Sequence, residues 1–357
     1  MKKLIFLFTM VLAVSMAMAQ TNNTSEVSQS GVKQTATVDQ QGMGDNTSYV
    51  IQASANNVAT VKQINPIFDG SIDEDDNLSS VEQTGARNTA DVSQTHDHGQ
   101  GNHAGPGGLL EATIYQSGDN NKAWQIQGGA NQMGASTASI DQSGNRNEAF
   151  QHQLKYYNEA YINQSGNANK ARQAQDTELP EDGSANFALI NQSGNSNYAD
   201  QQQQGWSNRV EATQSGIGNT SEQMQHNNSW LSKAYVVQAG NNNDASQSQV
   251  GNLNTANIEQ YSNGNLATQR QESGSTKPAG YPALNDAEIY QLGGNSNEAI
   301  QNQDNMEGNV SNFALIWQDG KNNFAQQDQW GGFNTSTISQ VGNGNIANVM
   351  QNQVLVP

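Results

Sequence analysis

The 357-residue sequence predicts an all-β fold, a two-sheet β-solenoid of stacked strand-turn-strand repeats with cross-β geometry. Three observations predict it. One phrase recurs thirteen times, apolar and polar residues alternate within it at every second position, and a short turn, in most copies carrying glycine, divides each copy in two.

The phrase is clearest in Ile140-Asp141-Gln142-Ser143-Gly144-Asn145-Arg146-Asn147-Glu148-Ala149-Phe150-Gln151-His152-Gln153. With the glutamine at Gln142 as origin, the equivalent origins are Gln29, Gln52, Gln83, Gln116, Gln164, Gln192, Gln214, Gln238, Gln260, Gln291, Gln318 and Gln340. Two residues before each origin stands an apolar residue, such as Ile140, Ile162 or Val236. Four before, the residue is Ala or Ser except at Val210, and six before it is usually Asn. Five residues after the origin come Asn57, Asn88, Asn121, Asn147, Asn169, Asn197, Asn219, Asn243, Asn265, Asn323 and Asn345, with Asn297 displaced by one. A second glutamine follows at the eleventh position, including Gln127, Gln153, Gln175, Gln203, Gln225, Gln249, Gln271, Gln303 (again displaced by one), Gln329 and Gln351. The halves read N-x-A-x-I-x-Q and N-x-A-x-[QV]-x-Q, the same seven-residue phrase said twice.

Period-two alternation places one set of side chains on one face, as in a strand with one buried side. No period near 3.6 that would signal a helix is visible. Turns such as Ser143-Gly144-Asn145-Arg146 complete the coil, glycine supplying the positive φ that a turn can demand. Origins lie 22 to 33 residues apart, yet twelve of the thirteen within-repeat turns keep four residues. The exception follows Gln291, where Gly293-Gly294 adds one residue and reads as a β-bulge. The long insertions, 64–76, 95–109, 176–185 and 272–284, all fall between repeats, so they belong to one edge of the stack. Thirteen coils at about 4.8 Å each give a stack roughly 60 Å tall.

Inward amides need partners, because an unpaired buried polar group costs on the order of 1–3 kcal/mol. Stacking of identical coils supplies them if each amide donates to its copy on one side and accepts from its copy on the other. The end coils then lack a partner within the molecule, which favours end-to-end addition.

The remaining composition sets the setting. Lys2 and Lys3, the apolar run Leu4 to Val14, and Ala17-Met18-Ala19 lay out a secretory signal peptide over residues 1–19, with a mature chain of one solenoid domain over 20–357. The expected location is therefore outside the cell. Without the two signal lysines, 13 basic residues face 33 acidic ones, which argues against nucleic acid or an anionic membrane as partner. No cysteine is present, so no disulfide framework holds an exported chain together. A hydrophobic fraction of 34% alone reads as low-complexity disorder, but thirteen copies in fixed register are inconsistent with that.

The spacing Q-x-G-x-x-N-x-A-x-x-x-Q, with an apolar residue two before the first glutamine, resembles the curlin repeat of curli fibre subunits. Gln142, Gly144, Asn147, Ala149 and Gln153 match it, as do Gln164, Gly166, Asn169, Ala171 and Gln175. The likeness covers about residues 23 to 353. It implies export as an unfolded chain through a dedicated outer-membrane pore with chaperones, nucleated polymerisation at the cell surface with a nucleator subunit, and a part in biofilm matrix and adhesion. Curli subunits commonly have about five repeats and more uniform turns; this chain is longer and carries acidic loops.

Other features of the sequence suggest further roles. Outward Tyr115, Trp124, Phe150, Tyr161, Tyr198, Tyr235, Trp317 and Phe324 suit lateral bundling, or simply the β-preference of aromatic residues. His96, His98 and His103, with Asp97, could offer nitrogen ligands to zinc or copper, although their glycine-rich surroundings read as a solvated loop. Asp73, Glu74, Asp75 and Asp76 lack the ordered ligand spacing of a calcium loop. No nucleophile and base share a motif, so neither an enzyme nor a cofactor is expected. The rival of another class is a monomeric parallel β-helix acting on polysaccharide, or a surface-binding adhesin; the near-identical halves and scattered charges favour a structural chain.

Overall fold

A computed structural model describes residues 23–42, 44–65, 76–97, 108–130, 135–155, 157–176, 185–273, 285–305 and 311–353. The expected signal peptide, and the middle of each long insertion, lie outside the described residues. Among the described residues twenty-six strands form thirteen coils of two. They are β1 (Thr24–Val32) with β2 (Thr35–Gly42), β3 (Asn46–Ala55) with β4 (Val58–Asn65), β5 (Asp76–Thr84) with β6 (Thr89–Asp97), and β7 (Leu109–Ser117) with β8 (Lys122–Ala130). Next come β9 (Ser136–Asn145) with β10 (Glu148–Leu154), β11 (Glu159–Asn167) with β12 (Lys170–Asp176), β13 (Phe187–Asn195) with β14 (Tyr198–Trp206), and β15 (Arg209–Ile217) with β16 (Thr220–Trp230). The stack ends with β17 (Lys233–Asn241) and β18 (Asp244–Val250), β19 (Thr255–Gln260) and β20 (Leu266–Ser273), β21 (Asn285–Gly293) and β22 (Glu298–Asn305), β23 (Asn312–Asp319) and β24 (Phe324–Gly331), and β25 (Thr335–Val341) and β26 (Ile346–Gln353).

Odd-numbered strands form one 13-stranded sheet and even-numbered strands another, each in strict chain order. Every pairing is parallel, and equivalent repeat positions face each other: Ala160 pairs with Ala138, Ile162 with Ile140 and Gln164 with Gln142. A β-solenoid thus follows from the repeat itself, because matching each coil to the next places like on like. The register slips between Gln291 and Gly293 where β21 meets β23, at the one turn with an extra residue. Described residues show the long connections joining an even strand to the next odd strand, so insertions gather on one edge.

Inward positions alternate with outward ones along nearly every strand, as in the buried–intermediate alternation of β9 and β10. The core between the sheets is thin and mixed. Its apolar part stacks Ile140, Ile162 and Ile190 from one sheet near Ala149, Ala171 and Ala199 from the other. A second stretch runs from Val236 to Ile338. Amides fill the rest.

Candidate functional site

Three columns of glutamine run along the stack. The origin residues, Gln29 through Gln340, form an unbroken ladder in which each Nε2 donates to the Oε1 of the next coil at 2.7–2.9 Å. The second runs through Gln127, Gln153 and their equivalents to Gln351 at 2.8–3.1 Å, and it begins earlier than the glutamines singled out from sequence, at Gln40, Gln63 and Gln94. In both, the second hydrogen of most Nε2 groups goes to a carbonyl across the coil, as from Gln142 to Lys122 at 3.0 Å. A buried primary amide is thereby satisfied along and across the stack at once.

The third ladder was not anticipated. Gln125, Gln151, Gln173, Gln201, Gln223, Gln247, Gln269, Gln301 and Gln327 bond in series at 2.8–3.0 Å. It stands at the [QV] position of the second half-phrase, which is valine in the outer coils, at Val38, Val61, Val92 and Val349, and that mixed occupancy hides the ladder.

Most of the asparagines differ from the expected amide-to-amide pairing, which Asn297 and Asn345 make to Asn265 and Asn323 at 3.2 and 3.0 Å. Each Oδ1 from Asn57 to Asn323 accepts the backbone N–H of the next asparagine in the column at 2.9–3.1 Å, ending on Asn345. The Nδ2 of Asn147 donates to Ser143 O in its own turn and to Gly166 O in the next coil, both at 3.0 Å. The short side chain reaches backbone groups left over where the strands bend, so asparagine acts as a turn clamp and glutamine as a rung. Glycine completes the turn. Gly166 has φ +98°, and a Cβ there would stand 2.0 Å from Gly194 O. Two residues on, Ala168 has φ 56°, the left-handed well that other residues can enter at modest cost.

His96 lies on β6 rather than in a loop: its side chain is buried, with Nδ1 3.1 Å from Asn65 Oδ1. Its strand continues as far as Asp97 because the backbone still pairs with β8, His96 opposite Gly129. His98 and His103 lie outside the described residues, as do Asp73, Glu74 and Asp75; Asp76 opens β5 and its carboxylate accepts the backbone N–H of Asp45 at 3.3 Å. Among the described residues no three His, Asp or Glu side chains group as metal ligands.

Tyr115 and Trp317 are the more exposed of the outward aromatics. Tyr161 instead packs on Phe187 with ring centres 5.8 Å apart, Arg209 caps that ring at 4.0 Å, and Trp317 sits 5.7 Å from Tyr290. A shallow polar groove of about 330 Å³ crosses four coils over Asp141, Asn163, Asn191 and Thr213. Burial raises the carboxyl pKa of Asp91, Asp141, Asp244 and Asp286 above the ordinary value, and lowers that of His152, with Arg172 adding to the effect. The groove offers acceptors and hydroxyls with no nucleophile–base pair among its lining residues.

The two ends of the stack differ in kind. The oxygens of Gln29 and Gln40 stand where a preceding coil would donate, and the nitrogens of Gln340 and Gln351 stand where a following coil would accept. No protein-family model matches the chain, and no curated protein matches it either.

Proposed function

We propose that the chain is a secreted structural subunit of an extracellular, curli-like amyloid fibre, polymerising end to end and serving biofilm matrix, adhesion and surface attachment. The observation that carries this reading is the open amide ladder, acceptor at one end of the solenoid and donor at the other. Leaving such groups unpaired in a dry contact costs on the order of 1–3 kcal/mol each, and a second copy is the partner that continues both end-to-end glutamine columns at once. An acidic surface suits a chain that must stay soluble until it reaches a template. The curlin-like spacing supports export through an outer-membrane pore and seeding by a nucleator subunit. The alternative within the same fibre is the nucleator itself.

The test is electron microscopy and fibre diffraction of purified residues 20–357 after incubation. Fibres with a meridional spacing near 4.8 Å and an equatorial one near 10 Å are expected. A chain that stays monomeric across salt and concentration, and that cleaves or binds polysaccharide in that form, would overturn the reading.

A further inference from the structure

We propose that the last coil, β25 with β26, is the docking face for the first coil, β1 with β2, of a second copy, and that the joint is closed by apolar contact of Val349 on Val38. This rests on the fibre reading and specifies which surfaces meet and in which sense.

Charge distinguishes the last coil. Residues 331–357 contain no Asp, Glu, Lys, Arg or His, in a chain of net charge −18. Its outward side chains are instead among the most exposed apolar groups described, with Val341 74%, Ile346 76% and Met350 72% accessible. Another acidic molecule meets least repulsion there. The glycine turns agree: where Gly144 and Gly166 abut the backbone of the next coil, a Cβ at the equivalent Gly342 would meet only Asn345 Nδ2 of its own turn, at 3.8 Å.

Hydrogen bonding sets the sense of addition. In interior coils Nε2 bonds both a carbonyl across the coil and the next glutamine, as at Gln142. Gln340 and Gln351 keep only the first of these, to Phe324 O and Thr335 O. Two last coils face to face would set donors against donors. A last coil on a first coil sets Gln340 against Gln29 and Gln351 against Gln40, donor to acceptor.

The valines explain how the remaining column closes. The third glutamine ladder stops inside the molecule: Gln125 Oε1 faces the Val92 coil without a partner, and Gln327 ends on Leu315 O below Val349. Val38 and Val349 are each partly buried, packed against the apolar core, and among the described residues each has a neighbouring coil on one side only. Joining two copies covers both, and no third amide has to find its register at the moment of docking.

The experiment measures assembly half-time of the full mature chain by thioflavin fluorescence, with microscopy of the products, for wild type, V349Q, V38Q and the double variant. Either single change sets one amide against a valine at the joint; in the free molecule the outer side of that amide is open to water, with Gln327 behind position 349 and Val61 behind position 38. Each is expected to lengthen the half-time at least tenfold, and the double variant, whose two amides bond across the joint, to return within threefold of wild type. Far-UV circular dichroism of each soluble chain checks that the coil content is unchanged. Single variants that assemble as fast as wild type, or a double variant as slow as the singles, overturn the joint while leaving the fibre intact. A wild-type chain that forms no fibre overturns the fibre reading itself.

Discussion

The side-chain oxygen of Asn147 accepts the backbone N–H of Asn169 in the next coil at 3.0 Å. That bond holds a turn, not a side-chain ladder, and it makes asparagine and glutamine unequal although both are buried amides. Backbone groups at the bend have fixed positions, whereas a glutamine beside a gap can swing its amide.

Replacing Asn147 with leucine therefore strands the N–H of Asn169 and leaves the carbonyls of Ser143 and Gly166 without their amide donor. At about 1 kcal/mol or more for each group, we expect a loss of roughly 3 kcal/mol or more. Gln142→Leu, which interrupts bonds to Gln116, Gln164 and Lys122, should lose less. Guanidinium unfolding of the soluble chain measures both. Replacing outward Arg146 and Glu148 with alanine should shift the midpoint little, and equal losses at inward and outward sites would refute the clamp.

Glycine is required at Gly166 by a φ of +98° and by the neighbouring carbonyl together, whereas Ala168, at φ 56°, sits in the left-handed well that other residues can enter. Gly166→Ala meets left-handed strain and the carbonyl of Gly194, and should destabilise by roughly 2–5 kcal/mol. Ala168→Gly relieves a left-handed alanine and should be neutral or stabilising by up to about 1 kcal/mol. The sign difference between neighbours two residues apart is the readout; a stability loss at Ala168 to match that at Gly166 would contradict the turn geometry.

Much of this was legible in the sequence because stacked parallel coils convert a linear repeat into contacts between equivalent positions. Ile140 over Ile162 and Gln142 over Gln164 follow once the origins are aligned, and the extra residue after Gln291 marks its own bulge. What was hidden is what a residue bonds, as opposed to where it points. A periodic asparagine reads alike whether its oxygen takes a neighbour's amide or a neighbour's backbone. The Gln125 ladder was obscured by valines in four coils, and His96 by having no histidine in equivalent positions to reveal that its strand continues inward.

Acidification should strengthen this protein over a range where many proteins weaken. Asp91, Asp141, Asp244 and Asp286 hold their protons to higher pH in the folded chain than the ordinary 3.8, because burial disfavours the carboxylate. Their stabilising contribution is fully present below 3.8 and is lost as pH rises through the raised folded values. Lowering the pH from about 7.5 to about 3.8 should therefore raise the unfolding midpoint and shorten the assembly half-time. Charge neutralisation acts in the same direction, and salt separates the two. At about 0.15 M ionic strength the screening length is about 8 Å, so added salt at pH 7.5 should itself accelerate assembly by damping repulsion between acidic surfaces. Acceleration by acid that persists at about 0.5 M salt belongs to the desolvated carboxylates. If salt has no effect or slows assembly at neutral pH, repulsion is not the barrier; if acid has no effect at high salt, burial of these four aspartates does not set the pH response.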